Sequence, residues 1–367
     1  ATLAARITTL DAPQNARPAL APRPRPDHLP LSFAQQRLWF LGQLEGPSAT
    51  YNIPMALRIS GDLDAGALEA ALNDVIARHE ALRTLFPVGD APRQEVMKQA
   101  RLNLRHRKIA VTALDATLAE CAAEVLDLSR DLPLAATLLR LDAQDHVLLL
   151  VLHHIAGDGA SMAPLAADLS TAYTARRAGH APDWPDLPVQ YGDYTLWHRE
   201  LLGDREDPAS RHARQLAFWK DALRDIPEQI QLPTDRPRSD VPDYQGRSLS
   251  FSLDQDVHTA LNAFAKAHNA SLFIVLHTIF AAALHRLGGS TRFAIGTPIA
   301  GRDEPALNGM VGMFVNSLAL PTDCSDHPTF ATLLARLRDA DLAAFDNADL
   351  PFDLVVEGLD LPRQPHV

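Results

Sequence analysis

The chain is built around Val147-Leu148-Leu149-Leu150-Val151-Leu152-His153-His154-Ile155-Ala156-Gly157-Asp158-Gly159. The first six residues of this stretch are all apolar, which predicts a buried strand and is too short to cross a membrane. Two histidines and a Gly-Asp-Gly turn follow, and an amphipathic helix is predicted to begin at Ser161 as its N-cap. The polar residues therefore lie in a loop between a buried strand and a helix, where a rigid scaffold can present chemical groups.

The two histidines are expected to have different surroundings. Successive side chains of a strand point to opposite faces, so one of His153 and His154 can face a cleft while the other is held inside the protein. A histidine with a pKa near neutrality is a suitable proton acceptor. Asp158 could pair with an arginine, and Gly159 could let a backbone N–H approach a substrate. Two core histidines and a turn aspartate would give the same pattern, so this stretch alone leaves both interpretations open.

Composition narrows the class of protein. The 367 residues are enough for two lobes, and 47% hydrophobic with 22% charged residues is typical of a soluble globular protein. The net charge of -11 argues against nucleic-acid binding. The two cysteines, Cys121 and Cys324, form neither a disulfide framework nor a metal motif, which favours a reducing, cytoplasmic compartment. Neither a signal peptide nor a membrane span is predicted, so we expect no membrane partner.

Proline-rich segments suggest how the chain is divided. Residues 1–11 have helical spacing, and the Pro/Arg-rich residues 12–30 are predicted to form an extended interdomain linker. A second proline cluster near residue 186 is predicted to separate a first lobe, 31–186, from a second lobe, 187–367. Strands and helices are mixed in both halves, which predicts an α/β (α+β) architecture with a cleft between the lobes.

Further elements are predicted from periodicity. One helix is expected from Asp64 through Arg83, and another after Ser271, which can cap it. The alternation of Leu249, Phe251 and Leu253 predicts a strand. Two more strands are predicted over residues 293–299 and 311–320, with helices over 329–345 and after Pro351.

Several functions are excluded because the sequence lacks the motifs that they require. The sequence contains no GxGxxG or GxxxxGK[ST] loop for nucleotide phosphates, no HExxH zinc motif and no GxSxG serine elbow. A site with one histidine and no covalent nucleophile remains, and such a site suits proton transfer or direct acyl transfer to an amine or hydroxyl.

Six segments, taken in order, resemble the signatures of the condensation domain of nonribosomal peptide synthetases. The resemblance extends from Leu31 to about Phe352, and its third signature is the HHxxxDG motif at 153–159. The other five signatures lie in residues 32–39, 78–86, 191–197, 295–318 and 349–352.

This resemblance implies a fold and a reaction. The fold would consist of two chloramphenicol-acetyltransferase-like lobes in a V-shaped pseudo-dimer with a central tunnel. An upstream (donor) and a downstream (acceptor) peptidyl carrier domain would each deliver a thioester on a 4'-phosphopantetheine arm, beside a neighbouring adenylation domain. The acceptor amine would attack the donor thioester and form a peptide bond, with no intrinsic cofactor and no metal.

The resemblance also assigns roles to individual residues. His154 and Gly159 would be catalytic, with the backbone N–H of Gly159 near the reacting carbonyl. Asp158 would be structural through an ion pair with Arg78. His153 and Arg302 would also be structural, and the tunnel or substrate candidates are Ala160, Ser161, Trp197, Asn316 and Ser317.

Some features go beyond the common pattern. Residues 1–11 resemble the C-terminal tail of an upstream carrier domain, and residues 44–54 resemble the subtype that joins an L-donor to an L-acceptor. Ala160 stands where the family often has a large residue, and the chain ends inside the last signature, so the second lobe is expected to be incomplete. An epimerisation-type relative and a non-catalytic relative that recruits partners remain as alternatives.

Overall fold

The computed structural model describes residues 17–46, 48–89, 91–227, 229–236 and 246–359. Within them the chain forms two compact units. Unit 1 contains the residues up to Gly203 together with Ala300–Val315, and unit 2 contains Asp204–Ile299 and the residues from Asn316 onward. Residues 1–11, predicted to be the tail of a carrier domain, lie outside the described residues.

Unit 1 is organised on a four-stranded sheet. The strands of the unit are β1 (Leu29–Pro30), β2 (Asn52–Ser60), β3 (Thr84–Leu85), β4 (Arg93–Val96), β5 (Arg105–Lys108), β6 (Leu134–Arg140) and β7 (Asp145–His153). The main sheet has the order β2-β7-β6-β5, in which β5 runs parallel to β6 and the other pairs are antiparallel. The apolar run predicted to be a buried strand is β7, which lies in the middle of this sheet and is buried from His146 to His153. A smaller sheet has the order β1-β4-β3.

Helices complete the core of unit 1. They are α1 (Phe33–Glu45), α2 (Ala65–Arg78), α3 (Leu114–Ala122), α4 (Met162–Arg177) and α5 (Tyr191–Leu202). Helix α2 packs against α4, and both contribute to the hydrophobic core that includes β7. Asp64 caps α2 as predicted by accepting the N–H of Ala67 at 2.9 Å. The helix ends at Arg78 rather than at 83, and Glu80–Arg83 forms a 3₁₀ turn.

The division of the chain differs from the predicted boundary at 187. Helix α5 belongs to unit 1, and the unit continues to Gly203. The cause is Tyr191, whose side chain is buried and whose hydroxyl lies 2.8 Å from Ser32 Oγ and donates to the carbonyl of Met313 at 2.6 Å. The proline cluster therefore marks a surface connection inside unit 1 and not its end.

The described part of the predicted linker is attached to unit 1. Trp197 donates its indole N–H to the carbonyl of Pro18 at 2.6 Å. Arg23 forms an ion pair with Glu200, and Arg25 forms one with Glu80 at 3.1 Å. Residues 17–28 are thus held against the surface of the unit by polar contacts, which a free tether would not make.

Unit 2 combines helices with a two-stranded sheet. Its elements are α6 (Arg211–Ala222), α7 (Gln255–Ala267), α8 (Leu272–Gly288), β8 (Arg292–Ile299), β9 (Asn316–Asp323), α9 (Phe330–Asp346) and α10 (Phe352–Leu359). Strands β8 and β9 are antiparallel, and Ile299 is opposite Asn316. Ser271 caps α8 as predicted by accepting the N–H of Ile274 at 3.2 Å.

Two strand predictions in the second half were wrong. Leu249 and Phe251 lie in a segment without regular structure, where their side chains are 89% and 82% exposed. The alternation was therefore correct as a pattern, but no neighbouring described strand pairs with it. The strand predicted at 311–320 begins only at Asn316, because Val311 and its neighbours as far as Val315 belong to unit 1.

The described helices are short relative to a membrane span. No single one of them is long and apolar enough to cross a membrane. Helices α7 and α8, bent by 102° at their junction, satisfy the criterion only as a pair, on length and composition.

Candidate active site

The end of β7 fixes the position of the histidine motif. His153 is paired with Asn52 of β2, and the neighbouring Leu152 is paired with Leu134 of β6. The chain then leaves the sheet in a 3₁₀ turn over His154–Ala156. A Cβ on Gly157 in this loop would lie 2.5 Å from the Cδ2 atom of Leu152, so a larger residue would require that side chain to shift.

His153 is buried and uncharged. Its Nδ1 accepts the N–H of Ile155 at 3.1 Å, so the ring proton of the neutral side chain resides on Nε2. Burial, with a smaller contribution from the neighbouring charge of His154, lowers the pKa of His153 from 6.5 to about 4. A group that is neutral near pH 7 and so weakly basic is a poor proton acceptor, which agrees with a structural role.

His154 is the more accessible of the pair. It is half-buried, and its backbone N–H donates to the carbonyl of Tyr51 at 2.8 Å, which anchors the residue beside the end of β2. Its Nδ1 is buried without a hydrogen-bond partner among the described residues. The imidazole therefore has hydrogen-bonding capacity that the described structure does not use.

Asp158 is an anchor for the loop. It is 2% exposed, and its Oδ1 accepts the N–H of Ser161 at 2.9 Å. Its Oδ2 accepts the N–H of Phe314 at 2.8 Å, and Arg302 Nη2 lies 3.2 Å from Oδ1. A carboxylate that accepts this many hydrogen bonds is fixed in place, which suits Asp158 to anchor the loop.

The predicted partner of Asp158 was wrong. Arg78 instead pairs with Asp168 of α4, with Nε 2.9 Å from Oδ2, and donates to the carbonyl of Pro185 at 2.8 Å. The role predicted for Arg78 is taken by Arg302. The spacing of residues along the chain could not distinguish these two arginines, because both partners are distant in sequence.

Arg302 connects Asp158 to the segment Ala300–Val315. Its Nη1 donates to the carbonyls of Leu307 and Met310 at 2.5 and 2.8 Å. Its guanidinium lies 4.3 Å from the centre of the Phe314 ring. The planar fork of arginine thus contacts both the motif loop and the turn that follows β8. The structural role expected for this residue stays a prediction.

His79 is a site residue that sequence reasoning missed. It is completely buried, its Nε2 lies 2.8 Å from Asp168 Oδ2, and its Nδ1 accepts the N–H of Val311 at 3.3 Å. Burial lowers the pKa of His79, against the opposing effect of Asp168. The neutral imidazole therefore bridges α4 to the segment that also supplies Phe314 to Asp158. Its place directly after Arg78 in the second signature was the signal available in the sequence.

The remaining candidates fall into two groups. Gly159 and Ala160 are exposed on the loop. Ser161 is fully buried, and its hydroxyl lies 2.8 Å from Asp158 Oδ1 and accepts the N–H of Gly312 at 3.2 Å. It is thus not an accessible substrate contact. Ser161 is the N-cap residue of α4, as predicted, but its hydroxyl makes no capping hydrogen bond to this helix.

Two other substrate candidates have their polar atoms engaged. Trp197 is 3% exposed and, as described, bonded to Pro18. In unit 2, the Asn316 amide donates to the carbonyls of Ala348 and Leu350 at 3.0 and 3.1 Å, and its Oδ1 accepts the N–H of Ser317 at 2.9 Å. Asn316 thus organises the end of β8–β9 within its own unit. Among the described residues, no group of three His, Cys, Asp or Glu side chains is placed to hold a metal ion.

Comparison with known proteins gives the family. The sequence model of the condensation domain matches residues 25–366. The chain is 51% identical over 352 residues to a probable nonribosomal peptide synthetase, CymA, of Salinispora arenicola, and 48% identical over 365 residues to a dimodular nonribosomal peptide synthase of Bacillus subtilis. These alignments cover 96% and 99% of this chain, but only 4% and 15% of the length of the two relatives.

A solved structure agrees with these matches. The complex of the X-domain and OxyB from teicoplanin biosynthesis contains a chain that is 36% identical, with a TM-score of 0.90. The alignment covers 96% of this chain and 77% of that one. The predicted fold class, α/β with chloramphenicol-acetyltransferase-like architecture, is confirmed.

Proposed function

Because this chain belongs to the condensation-domain family of nonribosomal peptide synthetases, whose members form amide bonds between carrier-bound substrates, we propose that it does so at His154. The observation that supports this choice is the contrast within the motif. His153 and Asp158 are buried and engaged, whereas His154 is half-buried with its side chain unbonded among the described residues, beside the exposed Gly159.

The reaction joins two thioesters. The amine of the acceptor aminoacyl group attacks the carbonyl carbon of the donor thioester, a C–N bond forms and the C–S bond breaks. The amine loses one proton, and the departing thiolate of the donor arm gains one. His154 accepts the hydrogen bond of the attacking amine through Nε2, since Nδ1 is buried. Holding two tethered reactants together supplies much of the rate, and transfer of the proton adds to it.

The partners follow from the same proposal. An upstream peptidyl carrier domain delivers the donor and a downstream carrier domain delivers the acceptor, both on 4'-phosphopantetheine, and an adjacent adenylation domain loads a carrier. A cytosolic location is proposed with them, supported by the free Cys121 and Cys324. Gly159 is proposed to place its backbone N–H near the donor carbonyl.

The test is the mass of the product left on the downstream carrier. We expect His154→Ala to slow the appearance of the lengthened chain by about 10²–10⁴-fold, while His180→Ala, at an exposed position of the same unit, leaves it unchanged. An unchanged rate for His154→Ala would remove this residue from the chemistry.

Two other outcomes would overturn the proposed function itself. An unchanged mass with an inverted stereocentre would show an epimerisation-type enzyme. No change in mass or stereochemistry, from a folded protein with loaded carriers, would show a relative that only binds partners.

A further inference from the structure

Unit 1 contains a cavity whose lining does not include His154 or Gly159. It has a volume of about 90 Å³ and lies between α1, the loop after it and the turn that follows α3. One of its polar lining residues is His153, which directly precedes the proposed catalytic His154. The remaining wall includes Leu38, Trp39, Tyr51, Phe86, Leu126 and Leu128.

The polar group of this wall is a donor. Since His153 Nδ1 accepts the N–H of Ile155, the proton of the neutral ring is on Nε2. The ring is 7% exposed and lines the cavity. Its Nε2–H can therefore donate to an oxygen acceptor that enters the cavity.

The rest of the wall is mostly apolar. Leu38, Phe86 and Leu126 are at most 8% exposed. The carboxylate of Asp127 is turned towards Ser129, which donates to it from both its hydroxyl and its N–H. Trp39 has a buried N–H without a partner among the described residues, and an acceptor in the cavity would lower the free-energy cost of leaving it unpaired. The cavity thus favours a largely apolar group with a hydrogen-bond acceptor and disfavours a charged one.

The volume limits the size of the occupant. An apolar cavity of about 150 Å³ is known to hold a benzene molecule, so one of about 90 Å³ holds a group of roughly three to four heavy atoms. We propose that this cavity binds the side chain of one of the two carrier-bound aminoacyl groups, and that it selects a short side chain with an acceptor oxygen. This inference rests on the proposed function, because it needs a substrate that reaches the histidine motif.

The experiment measures single-turnover condensation with glycyl, valyl, threonyl and phenylalanyl groups. They are varied on the donor carrier with a fixed acceptor, and then on the acceptor carrier with a fixed donor, so the two arms identify which substrate enters the cavity. In one arm we expect threonyl to react at least about tenfold faster than glycyl, because its side chain is buried. We expect it to exceed valyl, which has the same shape but no acceptor, by about three- to tenfold. Phenylalanyl should be rejected in that arm.

A substitution tests whether the cavity causes this preference. Gly42 lines the cavity, and a Cβ at this position meets no atom within 4 Å, so Gly42→Leu fills the space without a clash. Leucine also favours the helical state of α1 more than glycine does, so the variant is expected to fold. The matched control is Gln36→Leu, an exposed position of the same helix outside the cavity.

The outcomes are distinct. The inference holds if Gly42→Leu reduces the threonyl-to-glycyl ratio to within about twofold while Gln36→Leu keeps it. It is overturned if the ratio survives Gly42→Leu, or if neither arm shows a preference. If no pair of substrates gives a peptide, the proposed function fails, and the cavity is then tested by NMR titration with threonyl-pantetheine amide. Shifts of the His153 ring and Trp39 indole signals that Gly42→Leu abolishes would support binding, and their absence would refute it.

Discussion

Replacing Arg302 is the most informative perturbation of the motif loop. The side chains of Arg302 and Asp158 are 8% and 3% exposed, so Arg302→Ala would leave a buried carboxylate without its counter-charge. It would also remove the donors to the carbonyls of Leu307 and Met310. Breaking a buried pair from one side costs about 3–5 kcal/mol of the free energy of unfolding.

The matched comparison is Arg78→Ala. Its partner Asp168 is more exposed, at 18% of its side chain, and keeps the hydrogen bond of His79 when Arg78 is removed. We expect a loss of about 1–2 kcal/mol, because the remaining carboxylate is still paired and partly hydrated.

The assay is a pair of double-mutant cycles with Asp158→Asn, followed by urea unfolding. Three of the four tryptophans, at positions 39, 184 and 197, lie in unit 1, so tryptophan fluorescence reports mainly on this unit. We expect a coupling free energy of about 2–3 kcal/mol between Arg302 and Asp158, and less than about 0.5 kcal/mol between Arg78 and Asp158.

The reverse order of the two coupling energies would refute the reasoning. A strong coupling of Asp158 to Arg78 would mean that the pair expected from the signatures exists in solution. Similar small couplings for both arginines would mean that Asp158 is held mainly by backbone N–H groups, of which Phe314 and Ser161 supply one each.

Two further predictions concern the buried histidines. His79→Gln should retain most activity, because its amide can donate to Asp168 and accept from Val311. His79→Ala should instead lower kcat for peptide formation by about tenfold or more, with a smaller change in KM. Equal kcat values for the two variants would exclude a positioning role for His79. For His153, whose folded pKa of about 4 lies below the unfolded value near 6.5, the unfolded state binds more protons between these values. The contribution of neutral His153 to stability is complete above pH 6.5, and about 3 kcal/mol of it is lost as the pH falls towards 4. The unfolding free energy of His153→Asn should therefore depend less on pH across this window than that of the unchanged protein. Parallel curves of unfolding free energy against pH for the two proteins would contradict the assignment.

Local patterns predicted the parts of the fold that local physics determines. The apolar run before His153 could only be buried, and Asp64 and Ser271 could be recognised as helix caps from their neighbours alone. The alternation around Phe251 failed because a strand also needs a partner, and pairing is not encoded in a single segment. The unit boundary failed for a similar reason, since prolines report on backbone conformation and not on where Tyr191 packs.

The site shows the same division between local and distant information. Asp158 could be assigned a structural role from the motif, because a carboxylate between two glycines readily caps the next turn, and it does so with Ser161. Its arginine could not be chosen, because Arg78 and Arg302 both lie far from it in sequence and both end in the same guanidinium. The segment Ala300–Val315 determines which arginine pairs with Asp158, because it belongs to unit 1 and brings both Arg302 and the Phe314 N–H to the carboxylate. Such a segment constrains the loop that carries His154 through two separate bonds, so changes in residues 300–315 should alter the chemistry without touching a substrate.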